Sequence, residues 1–273
     1  MKASLELAGL RVEISSEDSS LFSLLRKRYT KFITNHVRPS ARIMVSLSPG
    51  LSFLEEGSWG EEFRVEIDRR EDEVEVYSYH FRGGFDFRTR SGRLEADCNE
   101  ALGSLDNYLR VIGASLLLQE GGILIHAAGV KRKRQGCLFP GPSGAGKSTI
   151  AASLAFKGEV LGDDLIAIRD NGKGWTMHSV PMQGEKNFPC VKVGLHGIFF
   201  PEKDSGNYLS TISRSDAMAF ILSDLPFLSE EERKSAVLLS RCEKLVKSVP
   251  IYRLHFKKGR GGALWALLRR TLR

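Results

Sequence analysis

The residues with the clearest chemical potential are "GPSGAGKST", Gly141 to Thr149. They fit the pattern G-x-x-x-x-G-K-[ST] at Gly141, Gly146, Lys147 and Ser148. Glycines at 141, 144 and 146 let successive backbone N–H groups turn toward an anion. Lys147 then places a positive charge at the terminal phosphates of a nucleotide, and the Ser148 hydroxyl is a ligand for Mg²⁺. Pro142, Ser143 and Ala145 complete the loop, and Thr149 adds a second hydroxyl that serves equally well as a packing or capping group. The expectation is therefore an ATP and Mg²⁺ site over Gly141–Thr149.

The second feature is the pair Asp163 and Asp164 in "VLGDDLIAI", 16 residues beyond Lys147 at its start. A chain that only hydrolyses a nucleotide needs a metal ligand and a group that positions water. A kinase also needs something to receive the proton of its acceptor hydroxyl. Adjacent residues on extended backbone face opposite ways, so two neighbouring carboxylates suit two different tasks, one toward metal and one toward the acceptor. His126, at the end of "LIH", is the third element, because its strand runs through a hairpin into the strand that feeds the loop. His178 and Arg214 have weaker claims, and Glu185 with Lys186 in "MQGEKNFP" are candidates for lining the acceptor side. There is no guanine-reading N-K-x-D, and Glu202, which follows Pro201 after the apolar "GLHGIFF", is a poor fit to the usual acid-terminated strand of nucleotide hydrolases.

These residues need elements to hold them. "GCLFP" reads as a strand entering the loop and "KSTIAASLAF" as a helix leaving it. "ILIHAAGV" and "QGCLFPG" flank a basic hairpin turn, "VLGDDLIAI" reads as two short strands broken at Gly162, and "VKVGLHGIFF" as a buried strand. "RSDAMAFILSDL" has helical spacing, "SEEERKSAVLLSRCEKLVKSV" reads as one longer helix capped by Ser229, and "PIYRLHF" as a further strand. Alternation of this kind predicts an α/β domain over residues 101–273, opened by a buried helix from Leu102 to Leu118 that Gly121 and Gly122 end. Residues 1–100 read as a smaller β-rich α+β domain: "LELAGLRVEI" alternates as a strand, "SLFSLLRKRYTKFI" is helical, and "EEFRVEI" with "EDEVEVYSYHF" suggests a hairpin turning at Asp68–Arg70. His36 and His80 read there as ordinary residues of a sheet.

Together, "IHAAGV", "LFPGPSGAGKST" and "LGDDLIAI" resemble the catalytic domain of HPr kinase/phosphorylase and its smaller divergent relatives, whose fold is related to phosphoenolpyruvate carboxykinase. In that family a histidine precedes the phosphate loop by the spacing of His126 to Gly141, 15 residues here, and an Asp-Asp pair follows the loop's helix. The resemblance implies a P-loop domain of that fold, with Asp163 as base or acceptor-binding acid, Asp164 as its partner near the metal, and His126 as a phosphate-side or aspartate-orienting residue. Thr149 stands where the bifunctional enzymes carry Glu, and their E-I-R-G-x-G-I-I motif is replaced by "PMQGEKNFPCVKVGLHGIFF", which points away from phosphorylase activity and toward the serine-kinase relatives. The activity implied is ATP-dependent phosphorylation of a hydroxyl, a serine of a protein, peptide or small molecule above all. The alternative from the residues alone is an ATPase or nucleotide-dependent regulatory protein.

Composition narrows the rest. A length of 273 residues with 42% hydrophobic content suits two modest domains. The net charge of +7 comes from 40 basic residues interspersed with 33 acidic ones, which disfavours nucleic acid as partner. Four scattered cysteines without a CxxC pair suggest reduced thiols and a cytoplasmic setting. No apolar run approaches a membrane span, and "LWALLRRTLR" reads as a docking helix. A homo-oligomer stays open.

Overall fold

The computed structural model describes residues 1–35, 38–53, 65–184, 186, 188–228, 230–259 and 261–271. Its contacts divide the chain into two compact units, Met1–Leu116 with Gly184–Asn187, and Leu117–Gln183 with Phe188–Arg273.

The first unit holds β1 (Lys2–Leu7), β2 (Leu10–Ser15), α1 (Ser19–Arg28), β3 (Ile33–Thr34), β4 (Ala41–Ser48), β5 (Glu66–Arg70), β6 (Glu73–Ser78), β7 (Phe81–Asp86), β8 (Ser91–Asp97) and most of α2 (Ala101–Gln119). Among the described residues the strands form one sheet in the order β3-β1-β2-β4-β8-β7-β6-β5. The expected single strand in "LELAGLRVEI" is a hairpin, because Ala8 and Gly9 turn the chain with φ of 52° and 95°. Likewise Asp68–Arg70 lie inside β5, and the turn sits at Glu71 and Asp72, where Glu71 takes φ of 40°. His36 and residues 54–64, including the start of "EEFRVEI", lie outside the described residues.

The expected boundary at residue 100 falls at the start of α2, whereas the units divide near its end. The reason is packing. Tyr108 lies against β7 and β8, where Gly83 and Gly92 make room for its ring, and its hydroxyl donates to Gly84 O at 2.6 Å. Buried Asp106 accepts from Arg28 Nη2 at 2.8 Å and from the Tyr29 hydroxyl at 2.7 Å. Arg69 Nη2 on β5 donates to Ser115 Oγ at 2.8 Å.

The second unit holds β9 (Gly122–Arg132), β10 (Gln135–Pro140), α3 (Lys147–Leu154), β11 (Glu159–Gly162), β12 (Leu165–Asp170), β13 (Trp175–His178), β14 (Lys192–Lys203), β15 (Tyr208–Ser210), α4 (Arg214–Ser223), α5 (Glu230–Lys234), α6 (Ala236–Ser248), β16 (Ile251–Phe256) and α7 (Gly261–Leu268). Its class is mixed α/β, and most neighbouring strands are antiparallel; β10 with β14 and β14 with β16 run parallel. The pairing β10-β9-β12-β13-β14 returns to β10, so five strands close on themselves and β16 and β15 extend the sheet beyond β14.

Two apolar clusters flank this sheet. Ile198 and Phe200 of β14 pack with Ile221 of α4 and with Leu238 and Leu245 of α6. Phe199 between them packs with Leu254 and Phe256 of β16, Ile150 and Leu154 of α3, and Trp265 of α7. Alternation along one strand thus sends α4 and α6 to one face and α3 and α7 to the other. Trp265 is buried and donates Nε1 to Leu154 O at 2.9 Å, which docks α7 on the end of α3 as its amphipathic sequence suggests.

The single long helix expected over "SEEERKSAVLLSRCEKLVKSV" is two. Ser235 adopts extended backbone, its Oγ accepts from Leu238 N at 3.3 Å and donates to Glu232 O at 2.7 Å, and it caps α6 after α5 has ended. A serine that can bond its neighbouring backbone offers an alternative to the helix, and here that alternative wins. Ser229 lies outside the described residues. Among the described residues no helix is long and apolar enough to cross a membrane.

Candidate functional site

The site grows from the middle of β9. Pro140, the last residue of β10, pairs with Ala127, and Leu165, the first of β12, pairs with His126. Because both neighbours run antiparallel to β9, the end of one and the start of the other meet at residues 126 and 127. Gly141 N donates to His126 O at 3.4 Å, and Ala127 N donates to Asp164 O at 3.0 Å. Three sequence features separated by up to 38 residues therefore share one strand's backbone ladder.

The loop after β10 has the backbone its glycines predict. Gly141, Gly144 and Gly146 take φ of 151°, 81° and 102°. A Cβ on Gly146 would lie 2.4 Å from Phe256 Cζ, so glycine is required there by space as well as by conformation. Gly146 is also the N-cap of α3, with no side chain capping the helix's first N–H groups. Such an end carries partial positive charge. Ser143 and Ser148 are exposed beside it, and Thr149 is half-buried.

Lys147 is buried at 6% exposure, and its ammonium donates to Gly141 O at 2.7 Å and Pro142 O at 2.9 Å. The lysine thus braces the loop from inside. Burial lowers its pKa, and Asp224, Asp164 and Asp163 oppose that lowering in that order. Asp163 and Asp164 occupy the bend between β11 and β12, both half-buried. Asp164 Oδ1 lies 3.3 Å from His126 Nε2, and Asp163 Oδ1 is closed off from solvent. The two carboxylates have different surroundings, yet both act on the same lysine.

Asp224 received no role from the sequence. It caps the C-terminal end of α4, is 7% exposed, and its carbonyl accepts from His126 N at 2.8 Å. Burial pushes its carboxyl up to about 6, against the opposing effects of His126 and Lys147. A signal was present: an acid at a helix C-terminus faces the negative end of the helix dipole, and such a local conflict marks a site with another purpose. Gln183 was also missed. It is buried and donates Nε2 to Leu165 O at 2.5 Å. A Cβ on Gly162 would fall 2.2 Å from that nitrogen, which explains the glycine before the aspartates.

No family model matches this chain, and no curated protein does.

Of the remaining candidates, His178 and Glu202 have partners of their own. His178 is buried on β13 with Nε2 3.0 Å from Thr176 Oγ1, and burial lowers its pKa to about 4, with Lys192 and Arg169 adding to the effect. It is a core histidine. Arg214 is exposed at the start of α4, 10 residues before Asp224. Lys186 is exposed in the segment that groups with the first unit, and Glu185 lies outside the described residues. Glu202 pairs with Arg253 at 2.9 Å.

Proposed function

We propose that this chain transfers the γ-phosphoryl group of ATP to a hydroxyl, with a serine of a protein, peptide or small molecule as the preferred acceptor. The observation that supports the reading most is that the backbone of His126 and Ala127 joins Gly141, Asp164 and Asp224, while Asp163, Asp164 and Asp224 all act electrostatically on Lys147 at the uncapped start of α3. A site built only to hold phosphates is served by the loop, the helix end and the lysine. Acids beyond that set suit metal binding and proton transfer. The same reading takes the second unit as a phosphate-loop domain of the HPr kinase type.

In this scheme the backbone of Gly141–Thr149 holds the phosphates and Lys147 leaves its loop carbonyls for the terminal phosphate oxygens. Among the described residues no group of three or more His, Cys, Asp or Glu side chains could hold a metal alone. That suits Mg²⁺, which takes one or two carboxylates together with phosphate oxygens and water. Ser148 and Asp164 would hold it, and when bound it neutralises charge on the phosphates. His126 orients Asp164 across their 3.3 Å contact. Asp163 receives the acceptor's proton.

Titration calorimetry with ATP and Mg²⁺ tests the nucleotide site: Lys147→Ala should remove most of the affinity, and unchanged affinity would overturn the placement. Transfer is then read from γ-labelled ATP with serine peptides and free serine, beside phosphate release into water. Asp163→Asn should keep ATP binding and lose ~10²–10⁴-fold in transfer, while Asp164→Asn should impair both metal use and turnover. Steady hydrolysis with no labelled acceptor, lost equally in both variants, would establish the ATPase reading instead.

A further inference from the structure

β15 and β16, whose terminal Phe256 packs against Gly146, carry a second group of polar side chains. Tyr208 pairs with His255 and Ser210 with Arg253 in an antiparallel ladder, so the four side chains share one face of the sheet. His255 is 9% exposed. Its Nε2 lies 2.9 Å from Ser210 Oγ and its Nδ1 3.2 Å from Asp204 Oδ2. The Tyr208 ring stacks on the imidazole with centroids 4.2 Å apart and planes 7° from parallel. Both ring nitrogens and one ring face are therefore engaged, and the ring has one orientation.

The carboxylate beyond it is held as an anion. Asp204 Oδ2 accepts from the Tyr208 hydroxyl at 2.7 Å, and Oδ1 accepts from Ser205 N at 2.5 Å and Ser205 Oγ at 3.1 Å. The Tyr208 hydroxyl, followed by the Ser205 amide, holds the Asp204 pKa down at about 2. An ionised Asp204 accepts only, so His255 Nδ1 carries the proton it donates and Nε2 is left to accept from the Ser210 hydroxyl. The order is serine, imidazole, carboxylate, with the roles each has in acyl transfer.

We propose that Ser210, His255 and Asp204 form a nucleophilic site that takes carboxylic esters, with Ser210 Oγ as the acyl acceptor. Ser210 is half-buried, so part of the residue meets solvent. Oγ attacks the ester carbonyl while its proton passes to Nε2, and the imidazolium so formed faces Asp204. The carbon–oxygen bond to the alcohol then breaks, and the alcohol leaves with the proton from Nε2. Water releases the acid by the same route, restoring Ser210. Arg253, opposite Ser210 and paired with Glu202 at 2.9 Å, supplies positive charge beside the carbonyl oxygen as it becomes negative. This site does not depend on the nucleotide reading.

The test is labelling of the intact protein with an alkyl fluorophosphonate, in which Oγ bonds to phosphorus, fluoride leaves and the proton passes through Nε2 to solvent. Peptide mass analysis should find one adduct, on Ser210, in the folded wild type, and none in Ser210→Ala. His255→Gln should slow the labelling at least ~10²-fold, and Asp204→Asn, which disturbs the tautomer, at least ~10-fold. Circular dichroism of each variant establishes that it is folded. The wild type alone can sink the proposal: no adduct on Ser210 means that the three residues only brace β15 against β16. Labelling of Ser210 at an equal rate in folded His255→Gln would also overturn it, since the serine would then react without its base.

Discussion

Replacing Asp224 with asparagine should stabilise the protein at pH 8, although it removes a charge near Lys147. Asp224 is 7% exposed, and burial raises its carboxyl pKa from 3.8 to about 6. The groups that face it are His126 on β9 and Lys147 on α3, and their attraction is already contained in that value. Asp163 and Asp164 share the same lysine from the bend between β11 and β12. Between about pH 4 and pH 6 the folded protein keeps a proton that the unfolded chain has released, so stability falls as pH rises through this window. Above it the whole penalty is present. A rise of two pKa units corresponds to about 3 kcal/mol, and because the amide must still be solvated or paired, we expect a gain of about 1–3 kcal/mol. For a unit of this size that is an increase in Tm of about 3–10 °C. Thermal melts of wild type and Asp224→Asn at pH 8, 6 and 4 make the measurement. The gain should shrink on acidification and vanish near pH 4. A variant less stable than wild type at pH 8, or a gain that is the same at pH 4 and pH 8, would refute the argument that Asp224 is ionised at the expense of folding.

Gly146→Ala places a Cβ 2.4 Å from Phe256 Cζ at a φ of 102°, so it should lose about 1–3 kcal/mol of stability and most ATP affinity, read by melting and calorimetry. Asp106→Ala strands Arg28 and the buried Tyr29 hydroxyl, and urea unfolding should show a loss of about 3–5 kcal/mol. His178, with its pKa lowered to about 4 by burial, contributes stability that is present above pH 6.5 and is lost as pH falls toward 4; by NMR its ring should stay neutral at pH 5.5 while an exposed histidine is protonated.

Much of the neighbourhood of residues 141–149 was legible because it is local. The glycine spacing at 141, 144 and 146 specifies a left-turning backbone, "GCLFP" and "KSTIAASL" have the patterns of the strand and helix that flank it, and Gly162 breaks β11 from β12 where the sequence says it should. Even His126 could be placed near the loop, since a short hairpin leaves its strand nowhere else to pair. The errors were local too. Ala8 with Gly9 and Ser235 turn or cap the chain where a longer apolar rhythm suggested continuity, the hairpin expected at Asp68–Arg70 turns at Glu71 and Asp72 instead, and a single residue's backbone preference is weak evidence until its partners are known.

What tertiary structure alone decided is which distant groups meet. Asp224 lies 77 residues beyond Lys147, on a helix whose sequence gives no hint of its neighbour, and it reaches the site because α4 ends against His126 N. Gln183, in the segment between β13 and β14, comes to Gly162 by donating to Leu165 O at the start of β12. Ser210, His255 and Asp204 come together only because β15 folds back on β16 in one register; a shift of a single residue would turn Ser210 to the other face. Local chemistry is written in spacing along the chain. The charge that a buried group feels depends on the strand pairings and helix docking that bring its neighbours, and these are properties of the folded molecule.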